Sequence, residues 1–115
     1  MASTNGDAWA QFSLALMYRS GVVPQNHTEA GKWMTKAAEQ GLPAAQHNLG
    51  AMYATGQGVP RDYAQALMWF TLAANNGDTG AKKNCDKITA QMTPDQIAKA
   101  QQMAREWKPK TAQQP

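Results

Sequence analysis

Few side chains in this 115-residue chain could act as nucleophiles, bases or metal ligands. It has one cysteine, Cys85, and two histidines, His27 and His47. A lone cysteine supplies neither an intramolecular disulfide nor a multi-cysteine metal site. No HExxH, GxSxG, P-loop or GxGxxG pattern occurs, so the common motifs for zinc, acyl transfer and nucleotides are absent. The Gly56-Gln57-Gly58 stretch is too short a signal for a phosphate cradle. The seven methionines fall mostly at core spacings, so neither a metal nor a cofactor is called for. What remains is a set suited to recognition. Trp9, Phe12, Leu16 and Arg19 recur at steps of three and four, one stripe of a helix. Trp and Arg are common anchors of interfaces. His47 and Lys83 stand with Lys87 on two further segments at the same kind of spacing, and Asn48 and Asn84 flank them. An asparagine amide can both donate to and accept from a peptide backbone, and the lysines would attract acidic groups.

The elements that position these residues are repeated. Ala10-Gln11 and Leu14 through Tyr18 match Ala45-Gln46 and Leu49 through Tyr53 at a spacing of 35. Trp33 matches Trp69, Ala30 matches Ala66, and Ala37-Ala38 matches Ala73-Ala74 at 36. The extra residue falls in a loop, where a helical repeat best tolerates it: Gly56-Gln57-Gly58-Val59 faces Gly21-Val22-Val23. A third copy starts at Gly77-Asp78, keeps Ala81 and Asn84, and puts Cys85 where Leu14 and Leu49 stood. Each unit reads as two helices. The first covers roughly 8–19 and 43–54, with Ala10, Leu14, Met17 and Tyr18 on its core face. The second covers roughly 27–40 and 63–76, with Ala30, Trp33 and Ala37, then Ala66, Trp69 and Ala73, as its buried stripe. Asp7 and Asp78 are candidate caps of first helices. Asn26 with Glu29 and Asp62 with Gln65 carry capping-box spacing, and Gly41 and Gly77 stand where a left-handed C-terminal residue is favoured. Thr93-Pro94-Asp95-Gln96 starts a last helix whose stripe is Ile97, Ala100, Ala104 and Trp107, ended by Lys108-Pro109. With the third first-type helix it reads as a further helix pair.

The pattern of Ala45, Leu49-Gly50, Tyr53, Gly56-Gln57-Gly58-Val59, Asp62, Ala66, Trp69 and Ala73-Ala74 resembles the Sel-1-like repeats, relatives of the tetratricopeptide repeats. The resemblance implies an all-α fold, a right-handed α/α superhelix of antiparallel helix pairs. It also implies a protein-interaction scaffold without an activity of its own. The expected layout is repeats at 6–40 and 41–76, a partial third at 77–92, a C-terminal capping helix at 93–108 and a disordered tail at 109–115. The closing segment resembles that of many bacterial members. Some Cys-rich relatives are linked to β-lactams, but their paired cysteines and any Ser-x-x-Lys are missing here, so a β-lactamase-like hydrolase is the weakest alternative. Cys85 falls on a core position of the repeat, where burial keeps a thiol inert.

Composition agrees with helices. Twenty-one alanines stand against five valines and isoleucines together, the best helix former against the natural strand formers. The net charge of +3 belongs to the last third: residues 1–76 balance four basic against four acidic groups, and residues 77–115 hold seven against four. That excess does not call for nucleic acid or an anionic membrane. No apolar run approaches a membrane span, and the first residues lack the features of a signal peptide. As it stands the chain is expected to be soluble and cytoplasmic, or periplasmic or secreted if a longer form carries a leader. The expected function is an adaptor that binds a protein or peptide along a concave groove, from an aromatic end at Trp9, Phe12, Leu16 and Arg19 to a basic end at Lys83 and Lys87. The same aromatic residues could instead pack within the fold, against a neighbouring repeat or against a second copy of the chain. The lysines could be a solvated face, and His47 an ordinary surface residue.

Overall fold

Six α-helices make up the regular structure of residues 8–20 and 26–109, the part described by this computed structural model. They are α1 (Ala8–Ser20), α2 (His27–Glu39), α3 (Pro43–Thr55), α4 (Tyr63–Asn75), α5 (Thr79–Thr89) and α6 (Pro94–Glu106). Asp7, the 21–25 loop and the tail beyond Pro109 lie outside the described residues. The helix starts follow from their caps. Asn26 accepts from the Glu29 amide and Asp62 from the Gln65 amide, each at 3.1 Å, and Asp78 accepts from Ala81 at 2.9 Å. The reciprocal half of the box forms, among the described residues, at Thr93 and Gln96 alone (3.2 and 3.0 Å). Glu29 turns instead to Lys32, at 3.1 Å. Pro43 opens α3, where its missing N–H costs nothing. Gly41 and Gly77 take φ of +94° and +96° beyond α2 and α4, a region costly for any residue with a Cβ.

α1 with α2 and α3 with α4 form helix hairpins, and α2–α3 and α4–α5 contacts stack them into a solenoid. Close approach rests on small residues: Ala30, Ala37, Ala45, Ala66, Ala73 and Ala81 are fully buried. At Gly50 a Cβ would lie 2.8 Å from the Phe70 ring, so glycine lets α4 seat against α3. At Gly31 a Cβ would lie 2.8 Å from the Gly58 carbonyl oxygen. The glycine inside α2 therefore makes room for the Gly58 loop of the next unit. Gln46 is fully buried and donates from Nε2 to the Ala38 carbonyl at 3.2 Å, tying α3 to the end of α2.

One core joins α1 to α4 around Met34, Leu49, Met52 and Trp69; a second joins α4 and α5 around Leu67, Phe70 and Ile88. Three details of the expected packing change. Met17 is exposed although its repeat partner Met52 is 1% exposed. Met52 sits in the core shared with α2, and among the described residues no helix pair packs on α1 in that way. The buried residues of α1 are instead Gln11 and Ala15. Likewise Trp69 is buried, packed edge-on against Trp107 at 5.9 Å, while Trp33 is half-buried under the Lys36 ammonium at 5.0 Å. Third, α5 and α6 do not form a hairpin like the earlier pairs. Only Ala90–Met92 and the cap Thr93 separate them, and α6 packs on α4 instead. Ala100 is fully buried there. Met103, Ala104 and Trp107 reach back to the first core, with Trp107 and Pro109 beside Gly41.

Candidate functional site

The first helices of the units, α1, α3 and α5, carry most of the residues singled out for recognition. Arg19 Nη1 donates to Asn48 Oδ1 at 2.8 Å, and Asn48 Nδ2 donates to the Ala44 carbonyl at 2.8 Å. Both halves of that amide are thus engaged, and α1 is bridged to α3. Beside the bridge is a hollow of about 430 Å³ lined by Leu16, Met17, Arg19, Ser20 and Asn48.

Between α3 and α5 the arrangement differs. One end of the gap is closed by polar groups. His47 Nδ1 lies 3.0 Å from Asp78 Oδ2, and Asn84 Nδ2 lies 3.3 Å from His47 Nε2. With a carboxylate at one ring nitrogen and an amide NH₂ at the other, the neutral ring carries its proton on Nδ1 and accepts at Nε2. The ring also stands edge-on to Phe70 at 5.8 Å. Burial pushes the Asp78 carboxyl up, but the Ala81 amide and His47 outweigh it and hold the group below the ordinary carboxylate range. The other end opens into a second hollow of about 240 Å³. Ala51, Ala54, Phe70 and Ile88 give it apolar walls; Tyr63, Asn84, Lys87 and Gln91 add polar groups.

The residues selected from sequence therefore fall into separate groups. Trp9 is 60% exposed and stacks edge-on against Phe12, whose half-buried ring packs on the first core. Leu16, Arg19 and Asn48 share the first hollow. His47 and Asn84 tie α3 to α5, Lys87 lines the second hollow, and Lys83 is exposed on α5 outside that lining. The two asparagines do not stand ready to hold a peptide with all four of their hydrogen-bonding groups. Sequence reasoning did not select Ala54 or Phe70 for this face. The available signal was the change of residue type between copies, Leu16 to Ala51 and Arg19 to Ala54.

Cys85 is half-buried, its Sγ lies 3.8 Å from the Thr71 hydroxyl, and burial pushes its thiol up, away from the reactive thiolate. Among the described residues no group of three His, Cys, Asp or Glu side chains could hold a metal ion, and no helix is long and apolar enough to cross a membrane.

Stacked hairpins with recurring cap, alanine and tryptophan positions define a helical-repeat solenoid. A family description of the Sel1 repeat matches residues 10–42 and 43–78, and the chain belongs to the Sel1 repeat family. The crystal structure of c5321, a protective antigen of uropathogenic Escherichia coli displaying an SLR fold, is similar at 37% identity and a TM-score of 0.87. That similarity covers 90% of this chain and 23% of the other. A Sel1 repeat protein from Oxalobacter formigenes is similar at 32% identity and a TM-score of 0.71, over 75% of this chain and 36% of the other. The chain thus spans about a quarter to a third of these proteins. No curated protein matches it. Sel1 repeat solenoids are in general non-catalytic protein-interaction scaffolds.

Proposed function

We propose that this protein is a non-catalytic adaptor that binds a protein or peptide on the face formed by α1, α3 and α5. The observation that carries this reading is the hollow between α3, α4 and α5, an apolar recess beside the cationic end of the face at Lys83 and Lys87. Trp9, Phe12, Leu16 and Arg19 supply an aromatic and cationic area at the other end, of the composition that dominates interface energetics. Asn48, His47 and Asn84 hold the three helices in register between them.

The test uses a partner isolated on the intact chain and a pair of variants. Phe12→Ala combined with Lys83→Glu weakens binding, and Lys32→Glu on α2 leaves it unchanged, with circular dichroism showing that each variant is folded at the assay temperature. Retained binding in the double variant overturns the assignment.

A second reading rests on a different observation. Trp9, Leu16 and Met17 are the large exposed apolar residues among those described, and all lie on α1. In this reading the N-terminal face is an assembly surface for a second copy or a further repeat. Light scattering on wild type and Trp9→Ser decides it; a monomer at high concentration for both removes the second-copy form.

A further inference from the structure

The two inter-helix hollows occupy matching places in the repeat but are built differently. Ala51 stands where Leu16 stands, Ala54 where Arg19 stands, and Lys87 where Ala51 itself stands one unit earlier. In the first gap the larger residues act on the space directly: Leu16 lines it, and Arg19 crosses it to reach Asn48 at 2.8 Å. In the second gap the two alanines leave the recess open down to Phe70, which is itself buried. The Asn84 amide nitrogen is drawn to His47, away from the place where Arg19 would meet its counterpart. The recess holds about 240 Å³, more than the roughly 150 Å³ that accommodates a benzene ring in an apolar protein cavity. One branched aliphatic or phenyl side chain is therefore the size of occupant it takes.

Charge selects what accompanies that side chain. No carboxylate lines the recess, and Lys87 does. Asp78, the cap of α5, is engaged by His47 and by the Ala81 amide. Lys83 is exposed one turn from Lys87 on the same helix. Neither lysine is paired with a carboxylate among the described residues. We propose that the recess between α3, α4 and α5 is the anchor site for a peptide segment of a partner protein. It would take one Leu, Ile or Phe side chain onto Phe70, with an adjacent acidic residue facing Lys87. Ala51 and Ala54 are its specificity determinants, since Leu16 and Arg19 at the equivalent positions give the first gap a different lining, without an aromatic floor. This rests on the reading of the α1–α3–α5 face as the binding face and names the chemistry recognised there.

The experiment measures fluorescence anisotropy of labelled octapeptides with the intact chain. The probes are a polar Gly/Ser octapeptide with a central Leu-Glu pair, and twins with Ala-Glu, Leu-Gln or Leu-Lys in its place. A labelled poly-dT octamer is the nucleic-acid control. The Leu-Glu peptide binds. Replacing its Leu by Ala weakens binding about tenfold or more, the loss of a buried isobutyl group. Replacing Glu by Gln weakens it about two- to fivefold, as for a partly exposed ion pair. In the protein, Ala51→Leu and Ala54→Arg, which write the first unit's residues into the second, each abolish binding; circular-dichroism melts identify any variant that fails to fold, and the other then decides. Lys32→Glu, on α2 away from this face, binds as wild type. Equal binding of the Leu and Ala peptides, or unchanged binding by folded Ala51→Leu and Ala54→Arg, overturns the anchor site. If the peptides still bind and Phe12→Ala with Lys83→Glu abolishes it, the binding face survives that failure. No binding by any peptide, or binding of the oligonucleotide in preference to Leu-Glu, overturns the proposal; retained binding of an isolated partner by the Phe12–Lys83 double variant overturns the face itself.

Discussion

Replacing Asp78 by Ala removes two interactions that belong to different units. Its Oδ1 caps α5 by accepting from the Ala81 amide at 2.9 Å, and its Oδ2 meets His47 Nδ1 of α3 at 3.0 Å. Loss of an N-terminal cap costs about 1 kcal/mol. Loss of a partly buried hydrogen bond adds about 0.5–1.5 kcal/mol. Asp78→Ala should therefore destabilise the chain by about 1.5–2.5 kcal/mol at pH 7, and Asp62→Ala, a cap with no partner in the next unit, by about 1 kcal/mol. The two substitutions are matched in chemistry, so their difference isolates the inter-unit bond. The pH dependence of the Asp78→Ala penalty follows from the lowered pKa of Asp78. A carboxyl held below its unfolded value contributes stability that is fully present above that value, about 3.9. The contribution is lost as pH falls through the lower folded-state value. Urea denaturation of wild type and both variants at pH 7 and pH 3 is the assay. The Asp78→Ala penalty should be larger than that of Asp62→Ala at pH 7 and should shrink at pH 3. Equal penalties at pH 7, or a penalty for Asp78→Ala that grows on acidification, would refute the assignment of Asp78 as a joint between the second and third units.

Trp69→Ala should cost about 3–5 kcal/mol, as for a fully buried aromatic, and Trp33→Ala clearly less because that ring is half-buried; chemical denaturation measures both. Gly31→Ala places a Cβ 2.8 Å from the Gly58 carbonyl oxygen and should destabilise by about 1–3 kcal/mol, the usual range for overpacking, where Gly→Ala in an open helix would stabilise. Cys85 should react slowly with iodoacetamide at pH 8 in the native state and rapidly in urea, since burial raises its thiol and shields it; equal rates in both would mean the residue is open to solvent.

The helices were legible because their evidence is local and repeated. Asn26, Asp62, Asp78 and Thr93 each cap the helix they precede, and Gly41 and Gly77 take the left-handed conformation at the matching place in both units. What the pattern did not carry is everything that depends on a residue's position in the stack. Met17 and Met52 hold the same position of the repeat, yet one is exposed and the other buried. Trp33 and Trp69 differ for a related reason, because Trp107 of α6 covers only the second. The packing of α6 on α4 was also hidden. It follows from the short connection after α5, which leaves no room for a long loop like that at 56–62. Gln46 was readable in principle, since Ala-Gln recurs at 10–11 and 45–46, but a polar residue inside an apolar stripe is informative only once its acceptor, the Ala38 carbonyl, is known.

The candidate site became visible by the opposite route, through differences between copies. Ala30 and Ala66, like Ala37 and Ala73, keep their residue type, are fully buried in both units and serve the stacking. Stacking places no such demand on a position whose residue changes size or charge from one unit to the next. Leu16 against Ala51, Arg19 against Ala54 and Ala51 against Lys87 are changes of this kind, and they gather around one face. A repeat built for packing alone would have equal gaps between its units. Here both gaps hold a hollow, but one is lined by Leu16, Met17 and the Arg19–Asn48 bridge, and the other by two alanines, Phe70 and Lys87. Graded substitution distinguishes a site from a packing defect. Enlarging Ala51 to Val and then to Leu adds two carbons and then one more to the recess. A defect regains stability as it fills, since burying each added group contributes about 0.8 kcal/mol. A binding recess instead loses affinity at each step, whatever happens to the melting temperature.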